Sequence, residues 1–356
     1  MNGPAGDRWP TARELADRLA RQANGSVRVV LLYGSRLLGT NPDPHSALDF
    51  VVVVDDYRRF YRGLAEAGEL HRPIWLLTAL AHVLPPNVIA YAPRDGREGI
   101  AKCLVVSEED LERALGPTPP DHFLLGRLIQ RTATVWAASA ASNDGAGPAN
   151  PAGSANANPP DPPNPADQAN PVGPVDAAAP AAIRIAALIE SAQMRVLDWT
   201  APYLDEPVDA AGLGRRLLEV CYRGELRPES RGRAGRVFDA QADYLARALA
   251  PALEAAVADG RMRREGQGYA LADGASPAER RRWRRYFRKS KSRTTLRWFK
   301  HMLTFANWLP YVVRKVERHT GREIHLTFLE RKLPIVFLWP RAVHVLLTRP
   351  RRENES

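Results

Sequence analysis

Two segments of the sequence are the most informative about the fold: Leu31-Leu-Tyr-Gly-Ser35 and, thirteen residues later, Asp49-Phe-Val-Val-Val-Val-Asp55-Asp56. The hydrophobic runs are short and rich in β-branched residues, so Val27 to Tyr33 and Leu48 to Val54 are predicted to be buried strands. A strand that ends in Gly-Ser lets backbone amides approach an anion closely, because glycine has no side chain in the way, and the serine adds a hydroxyl donor. The stretch therefore predicts an anion site at the end of a strand.

The Gly-Ser turn with a downstream aspartate resembles the polymerase-β-type nucleotidyltransferase superfamily. A carboxylate such as Asp49 can hold Mg²⁺ against a nucleotide triphosphate, which nucleotidyl transfer requires. The superfamily usually places a second acid two residues later, and here that place is Val51. Asp55 shares a strand face with Asp49 but lies about 20 Å away on a straight strand. We predict Asp49 and Asp55 as metal ligands, with Asp55 or Asp56 joining only if the strand ends early or bends.

The N-terminal 136 residues, which contain both motifs, are predicted to form a mixed α/β or α+β sheet domain. A capping-box pattern, Thr11-Ala-Arg-Glu14, predicts a leading helix. A hairpin is predicted from Val88 to Tyr91 and from Ile100 to Ser107, because a turn-rich segment separates the two runs. Helices are predicted from Glu108 to Leu115 and from Phe123 to Ala137.

The rest of the chain divides by composition. Residues 137–182 are dominated by Ala, Pro, Asn and Gly, which predicts a disordered linker. Residues 183–279 follow as a mostly helical domain, for which a winged-helix-like unit is one option. Its predicted helices are Ala181 to Trp199, Leu213 to Tyr222 and Phe238 to Val257. Residues 280–356 form a basic and aromatic C-terminal region.

Composition narrows the class of protein. The 356 residues carry a formal net charge of +10, which favours anionic partners such as nucleic acid, lipid surfaces or phosphate-bearing substrates. Cys103 and Cys221 are too few for a disulfide framework or a four-ligand zinc site, which predicts a reducing cytosol. The N-terminus has the pattern of neither a signal peptide nor a typical transit peptide. The sequence contains no run of about 18 apolar residues, so no transmembrane helix is predicted.

Eleven of the twenty-one residues from Arg280 to Lys300 are Lys or Arg, interleaved with Trp, Tyr and Phe. This mixture has three interpretations: a solvated charged surface, a nucleic-acid surface on which bases stack, or an amphipathic membrane-surface helix. An apolar stretch follows, so we favour docking on an anionic membrane surface and consider nucleic acid unlikely.

A wider resemblance covers most of residues 27 to 300 in order. The Tyr-Gly-Ser turn and the run from Leu48 to Asp56 resemble the mitochondrial translocator assembly and maintenance proteins, the Tam-type phosphatidate cytidylyltransferases. Four further segments are similar to elements of that family: Ala101-Lys-Cys-Leu-Val-Val-Ser107, Gly126-Arg-Leu128, Cys221-Tyr-Arg-Gly-Glu-Leu-Arg227 and, more weakly, Ser292-Arg-Thr-Thr-Leu-Arg297. The linker, the tail beyond about Met302 and the family's elements after Asp56 are not matched.

The resemblance implies transfer of CMP from CTP to phosphatidate, giving CDP-diacylglycerol and pyrophosphate, with Mg²⁺ as cofactor. It implies a peripheral enzyme, expected on the cytoplasmic face of the cell membrane. The implied catalytic residues are Asp49, Ser35 and Lys102, and the implied nucleotide-binding residues are Gly34, Ser35 and Arg127. The implied contacts to the lipid phosphate are Tyr222, Arg227, Arg293 and Arg297. Lys102 has a simpler interpretation as a lysine on a solvated sheet face, and Arg127 and Arg227 have one as surface ion pairs.

Two other functions remain open from the sequence. A nucleotidyltransferase with the same core could act on RNA or on a small alcohol, and its activity would not respond to lipid. Because Val51 stands where a second acid is usual, the chain could also be a catalytically inactive adaptor that binds membranes or nucleic acid.

Overall fold

The computed structural model describes residues 9–40, 47–93, 100–139, 180–204, 207–223 and 233–304. Its centre is a sheet of five strands: β1 (Val27–Tyr33), β2 (Leu48–Val54), β3 (Asn87–Tyr91), β4 (Ala101–Ser107) and β5 (Ala133–Ala137). Their order is β3-β4-β2-β1-β5, with β2 and β4 parallel and the other neighbours antiparallel. The fold is mixed α+β, and the predicted strands β1 and β2 and the β3–β4 hairpin are confirmed.

Both faces of the sheet are covered, which explains why the strands are continuous hydrophobic runs. Phe50 and Val52 point to one face, here called the lower face, and Val51 and Val53 point to the opposite, upper face. All four side chains are fully buried.

Three helices pack on the lower face: α1 (Pro10–Gln22), α3 (Tyr57–Glu66) and α4 (Ile74–Val83). The leading helix is confirmed, but its predicted cap is wrong, since α1 begins at Pro10 and Trp9 makes no side-chain cap. Proline suits this first position, because its missing N–H has no partner within the helix. Neither α3 nor α4 was predicted.

The upper face carries helices from both sides of the predicted linker. α5 (Glu108–Leu115) follows β4 at the predicted bounds, and α7 (Pro180–Met194), α9 (Ala210–Arg223) and α11 (Ala242–Ala258) lie beyond the linker. Their apolar residues join the upper face in one hydrophobic core. Residues 140–179 of the predicted linker lie outside the described residues, while Ala137 belongs to β5 and residues 180–182 belong to α7.

The remaining C-terminal elements are short. They are α8 (Leu197–Thr200), a 3-10 turn (Ala201–Tyr203), α10 (Arg233–Asp239), β6 (Met262–Glu265) and β7 (Gly268–Leu271). β6 and β7 form an antiparallel hairpin, and Val208 adds an isolated bridge to Tyr269. The helix predicted from Phe238 to Val257 is two helices, because the chain turns at Gln241, whose side chain bonds Gln130 and the backbone of Arg131.

The helix predicted from Phe123 to Ala137 is wrong. Only a single turn forms, α6 (Leu125–Leu128), and the segment continues as strand β5. The β-branched and aromatic run Thr-Val-Trp suits a strand, and Trp136 pairs with Val30 at the edge of β1 that β2 leaves open. Tertiary pairing overrides the helical interpretation here.

The basic and aromatic stretch forms one helix of 28 residues, α12 (Pro277–Thr304). It packs along β3. Residues 305–356 of the predicted docking region lie outside the described residues. Across the described parts of the chain, no helix has the length and apolar character needed to cross a membrane.

Candidate functional site

Three polar side chains stand in one row at an end of the sheet. Tyr33 on β1 pairs with Asp49 on β2, and Asp49 pairs with Lys102 on β4. Along their strands, Asp49 and Lys102 alternate with Phe50 and Cys103, which belong to the lower-face core, so both charged side chains lie on the upper face. Each is half-buried. A carboxylate and an ammonium group therefore occupy adjacent strands at the rim of the upper core.

The Gly34 turn lies directly against this row. Gly34 has φ of +81°, and a Cβ built on it would lie 2.8 Å from Oδ2 of Asp49. Any side chain here would therefore displace the carboxylate and strain the backbone. Ser35 follows as the first residue of the single-turn helix α2 (Ser35–Leu38). The structure thus brings together Gly34, Ser35, Asp49 and Lys102, four of the residues singled out from the sequence.

Asp55 is not part of this group, because the condition for its joining Asp49, a strand that ends early or bends, is not met. β2 is regular over all seven residues, so the two carboxylates lie at opposite ends of the strand. Asp55 accepts a hydrogen bond of 2.7 Å from Arg28 and forms a second ion pair with Arg59. Asp56 caps α3 by accepting a bond from the backbone N–H of Arg59.

Asp121, in the segment between α5 and α6, fixes α12 through two arginines. Its Oδ2 accepts hydrogen bonds from Arg293 Nε at 2.9 Å and from Arg297 Nη2 at 2.8 Å. Burial acts to raise the pKa of Asp121, but the charges and hydrogen bonds of the two guanidinium groups outweigh it and hold the pKa below its usual value. Arg297 is only 1% exposed and also donates to the Pro85 carbonyl.

Two of the three arginines predicted to contact the lipid phosphate, Arg293 and Arg297, are therefore engaged within the protein. Arg297 is buried between Asp121 and the Pro85 carbonyl. Arg293 is half-buried and paired with Asp121. Arg297 still has one buried donor, Nη1, without a hydrogen-bond partner.

Phe123 lies between two guanidinium groups. The guanidinium carbon of Arg127 stands 3.7 Å from the centre of the Phe123 ring, and that of Arg297 stands 4.5 Å from it. Arg127 also donates to the Phe123 carbonyl at 2.6 Å. The ring faces favour these cations, which repel each other, so the aromatic side chain holds two positive charges close together.

The last turns of α12 add two basic residue types, Lys300 and His301, that sequence reasoning did not assign to the site. Lys300 donates to the carbonyls of Leu80 and Pro86 and to that of Leu84, where α4 ends. The His301 ring packs at a tilt against the Phe123 ring, and its Nε2 is buried without a hydrogen-bond partner.

Burial, and then the positive charges of Lys102, Lys300, Arg297 and Arg127, hold the pKa of His301 well below its usual value. We call these five residues the basic cluster: Lys102, Arg127, Arg297, Lys300 and His301.

Segments that are distant in the sequence meet beside the basic cluster. Gly126, beside Arg127, packs so closely on α9 that a Cβ would lie 2.9 Å from Cys221 Sγ. His122 bonds the Cys221 carbonyl at 3.1 Å and, through its backbone N–H, Ser290 on α12. Tyr222 is the next residue of α9 and packs against the upper-face core. Arg227 lies outside the described residues.

A signal for the missed residues was present in the sequence. Arg293, Arg297, Lys300 and His301 recur at intervals of four, three and one residues, which places them on one side of a helix. The spacing groups Lys300 and His301 with the two predicted arginines, although it does not show that this side of the helix faces the core. The position of Asp121 had no comparable signal, because its partners lie more than 170 residues away in sequence.

The donors in the row suit a Mg²⁺ ion that arrives with a nucleotide. Mg²⁺ commonly binds one or two protein carboxylates together with substrate phosphates and water. Asp49 provides one such carboxylate beside a glycine whose missing side chain leaves room. Val51 faces the same side but is buried in the core and offers no ligand. Within the described ranges, no group of three or more His, Cys, Asp or Glu side chains could hold a metal by itself.

Comparison with known proteins adds no relative: the chain matches no family model and has no significant match among curated proteins.

Proposed function

We propose that the chain is a nucleotidyltransferase of the Tam type, a phosphatidate cytidylyltransferase that transfers CMP from CTP to phosphatidate. The observation that carries the proposal is the meeting of the Gly34 turn, Asp49 and Lys102 in one row beside the basic cluster. The antiparallel pair β1–β2, with its glycine turn after β1, is also the arrangement expected of a polymerase-β-type core.

The turn is suited to hold the triphosphate. Gly34 allows a close approach of the backbone, and the Ser35 hydroxyl can donate a hydrogen bond to a phosphate oxygen. Asp49 would hold Mg²⁺, which neutralises triphosphate charge when it is bound. Lys102, one strand away, would contact a phosphate of the nucleotide.

The reaction needs little covalent chemistry from the protein. An oxygen of the lipid phosphate attacks the α-phosphorus of CTP, the bond from this phosphorus to the oxygen bridging to the β-phosphate breaks, and pyrophosphate leaves in line. Both reactants are anionic, so the protein must position them and offset their charge. The unpartnered buried donor of Arg297 and the nearby Arg127 and Lys102 supply that positive field.

The test is pyrophosphate release by the full chain with Mg²⁺ and CTP. The acceptor is a short-chain, water-soluble phosphatidate, so that membrane binding is not required. ATP in place of CTP, omission of the lipid, and Asp49→Asn serve as controls. We expect release that needs both CTP and phosphatidate and that Asp49→Asn abolishes. Release that is independent of lipid would assign a different acceptor, such as RNA or a small alcohol.

A second candidate function is favoured by one observation, the buried Val51 at the place where a second acid is usual. A catalytically inactive adaptor predicts that Mg²⁺ and CTP do not bind. Calorimetric titration of the chain with CTP in the presence of Mg²⁺ separates the two functions, because the transferase must bind this nucleotide.

A further inference from the structure

The outward side of α4 is apolar except for His82, although it faces solvent. The helix sequence Ile-Trp-Leu-Leu-Thr-Ala-Leu-Ala-His-Val contains no Asp, Glu, Lys or Arg. Trp75, Ala79 and Val83 repeat every four residues on the side opposite the buried Leu77 and Ala81. Trp75 is 71% exposed and Val83 is 75% exposed. Surface helices normally present charged or polar residues on this side, so α4 carries the pattern of an interaction surface.

α12 extends this surface. Leu296 and Leu303 are exposed, and helical spacing places both on the flank of α12 next to the buried Lys300. Lys300 bonds the carbonyls at the end of α4, so this side of α12 borders α4 next to Val83. We call Trp75, Ala79, Val83, Leu296 and Leu303 the apolar face.

Positive charge accompanies the apolar face. Eight Arg and Lys side chains between residues 280 and 291 are exposed, all on the preceding turns of α12. Apolar side chains that include tryptophan, next to exposed Arg and Lys, match the two attractions of an anionic bilayer, which are its hydrocarbon and its surface charge. A second copy of the chain is disfavoured as the occupant, because each copy carries a formal charge of +10.

We propose that the apolar face inserts into the surface of an anionic lipid bilayer, with the cations of α12 lying against the lipid headgroups. The proposal refines the predicted membrane docking, since α4 supplies insertion and the first half of α12 supplies charge. It rests on the proposed function only for its biological purpose, because phosphatidate is a bilayer lipid. His301 follows Lys300 in α12, and Lys300 bonds carbonyls at the end of α4, so the basic cluster adjoins one end of the docking helix.

The first experiment measures binding of the full chain to phosphatidylcholine vesicles that contain phosphatidylglycerol but no phosphatidate. We expect sedimentation with these vesicles, and roughly tenfold weaker binding for Trp75→Ser, since one large apolar side chain is lost from the bilayer. Ile183→Ser is the matched control, because Ile183 is 56% exposed on α7, away from this face. Both exchanges affect exposed side chains, so thermal unfolding should match the wild type.

A second measurement reports insertion directly. The native cysteines Cys103 and Cys221 are buried, so a polarity-sensitive dye labels a new surface cysteine selectively. Dye on Val83→Cys should shift to the blue when vesicles are added, and dye on Ile183→Cys should not.

Unchanged binding of Trp75→Ser, or an unshifted dye at position 83, would overturn the proposal. A dimer in solution that Trp75→Ser breaks, without vesicle binding, would also overturn it and assign the apolar face to a second copy. These vesicles contain neither substrate, so the result is independent of pyrophosphate release: binding without catalysis leaves the docking surface standing while the proposed function fails.

Discussion

Strand β2 has an aspartate at each end, and the two carboxylates have opposite surroundings. Asp49 lies beside a glycine turn and is paired in register with Lys102 across the parallel ladder. Asp55 is held by the guanidinium groups of Arg28 and Arg59. One aspartate is therefore a candidate ligand and the other is part of structural ion pairs, and the difference comes from the neighbouring residues.

The difference shows what distinguishes a candidate ligand from a structural ion pair. At the Asp49 end, the glycine keeps the approach to the carboxylate open, and further cations gather beyond Lys102. At the Asp55 end, two arginines already offset the charge and join β1, β2 and α3. A ligand needs a carboxylate that is open to approach and not already neutralised, so the Asp49 end is the one suited to a metal or a nucleotide.

The largest expected effect comes from Asp49→Asn. The exchange keeps the shape of the side chain but removes its charge, so pyrophosphate release should fall roughly 10²- to 10³-fold. The free energy of unfolding should change by less than about 1 kcal/mol, because the side chain is half-buried at the rim of the core. Steady-state assays and urea unfolding measure the two quantities. Full activity of this variant would remove Asp49 from the site.

Asp121→Asn extends the comparison to a third carboxylate, which is buried more deeply than either aspartate of β2. Removing its charge leaves the buried guanidinium of Arg297 without its ion pair, so the free energy of unfolding should fall by about 3 kcal/mol. Asp198→Asn is the control, since its 3.0 Å pair with Arg261 is exposed and should contribute less than about 1 kcal/mol. Equal losses for the two variants would contradict the assignment of Asp121 as the anchor of α12.

The same carboxylate gives a pH dependence. The pKa of Asp121 lies below the unfolded value of 3.8, so the folded state binds the proton less tightly than the unfolded chain does. Its contribution to stability is therefore complete above that pH and is lost as the pH falls below it. Urea unfolding of wild type and Asp121→Asn between pH 6 and about pH 3 should show a difference that shrinks with acid. A constant difference would contradict the pKa shift.

Gly34→Ala should disturb the Asp49 end more mildly. The added Cβ would lie 2.8 Å from Asp49 Oδ2, so the carboxylate must move, and activity should fall roughly tenfold or more. Gly39→Ala is a matched control, because Gly39 also has a positive φ of +68° but has no atom within 4 Å of an added Cβ. Both variants carry the same kind of backbone strain. Equal losses of activity would show that strain, and not displacement of Asp49, is responsible.

The fold could be predicted from the sequence where local pattern and tertiary structure agree. β1 and β2 have the predicted bounds. Both faces of the sheet are buried, so each strand is a continuous hydrophobic run that the sequence shows directly. β5 was predicted as a helix, because its pairing partner β1 lies about 100 residues earlier and no local pattern announces the pairing. α4 was missed, because it is apolar nearly all round and has no clear period.

The candidate site was likewise predictable only where its residues form a local motif. Gly34, Ser35 and Asp49 form a local motif, so the sequence is sufficient to select them. The pairing of Lys102 with Asp49 requires the register of two strands that are distant in sequence. His301 requires the docking of α12 on Phe123, nearly 180 residues earlier. Residues that act through long-range packing therefore stay hidden until the fold is known.

The smallest expected effect belongs to Asp55→Asn. Arg28 and Arg59 are 22% and 43% exposed, so water screens the pairs, and the free energy of unfolding should fall by only about 1 kcal/mol. Pyrophosphate release should stay within about twofold of the wild type, because Asp55 lies at the far end of β2 from Asp49. Urea unfolding and the pyrophosphate assay measure both. A loss of activity as large as that of Asp49→Asn, in a variant that stays folded, would mean that the two ends of the strand act together and would return Asp55 to the metal site.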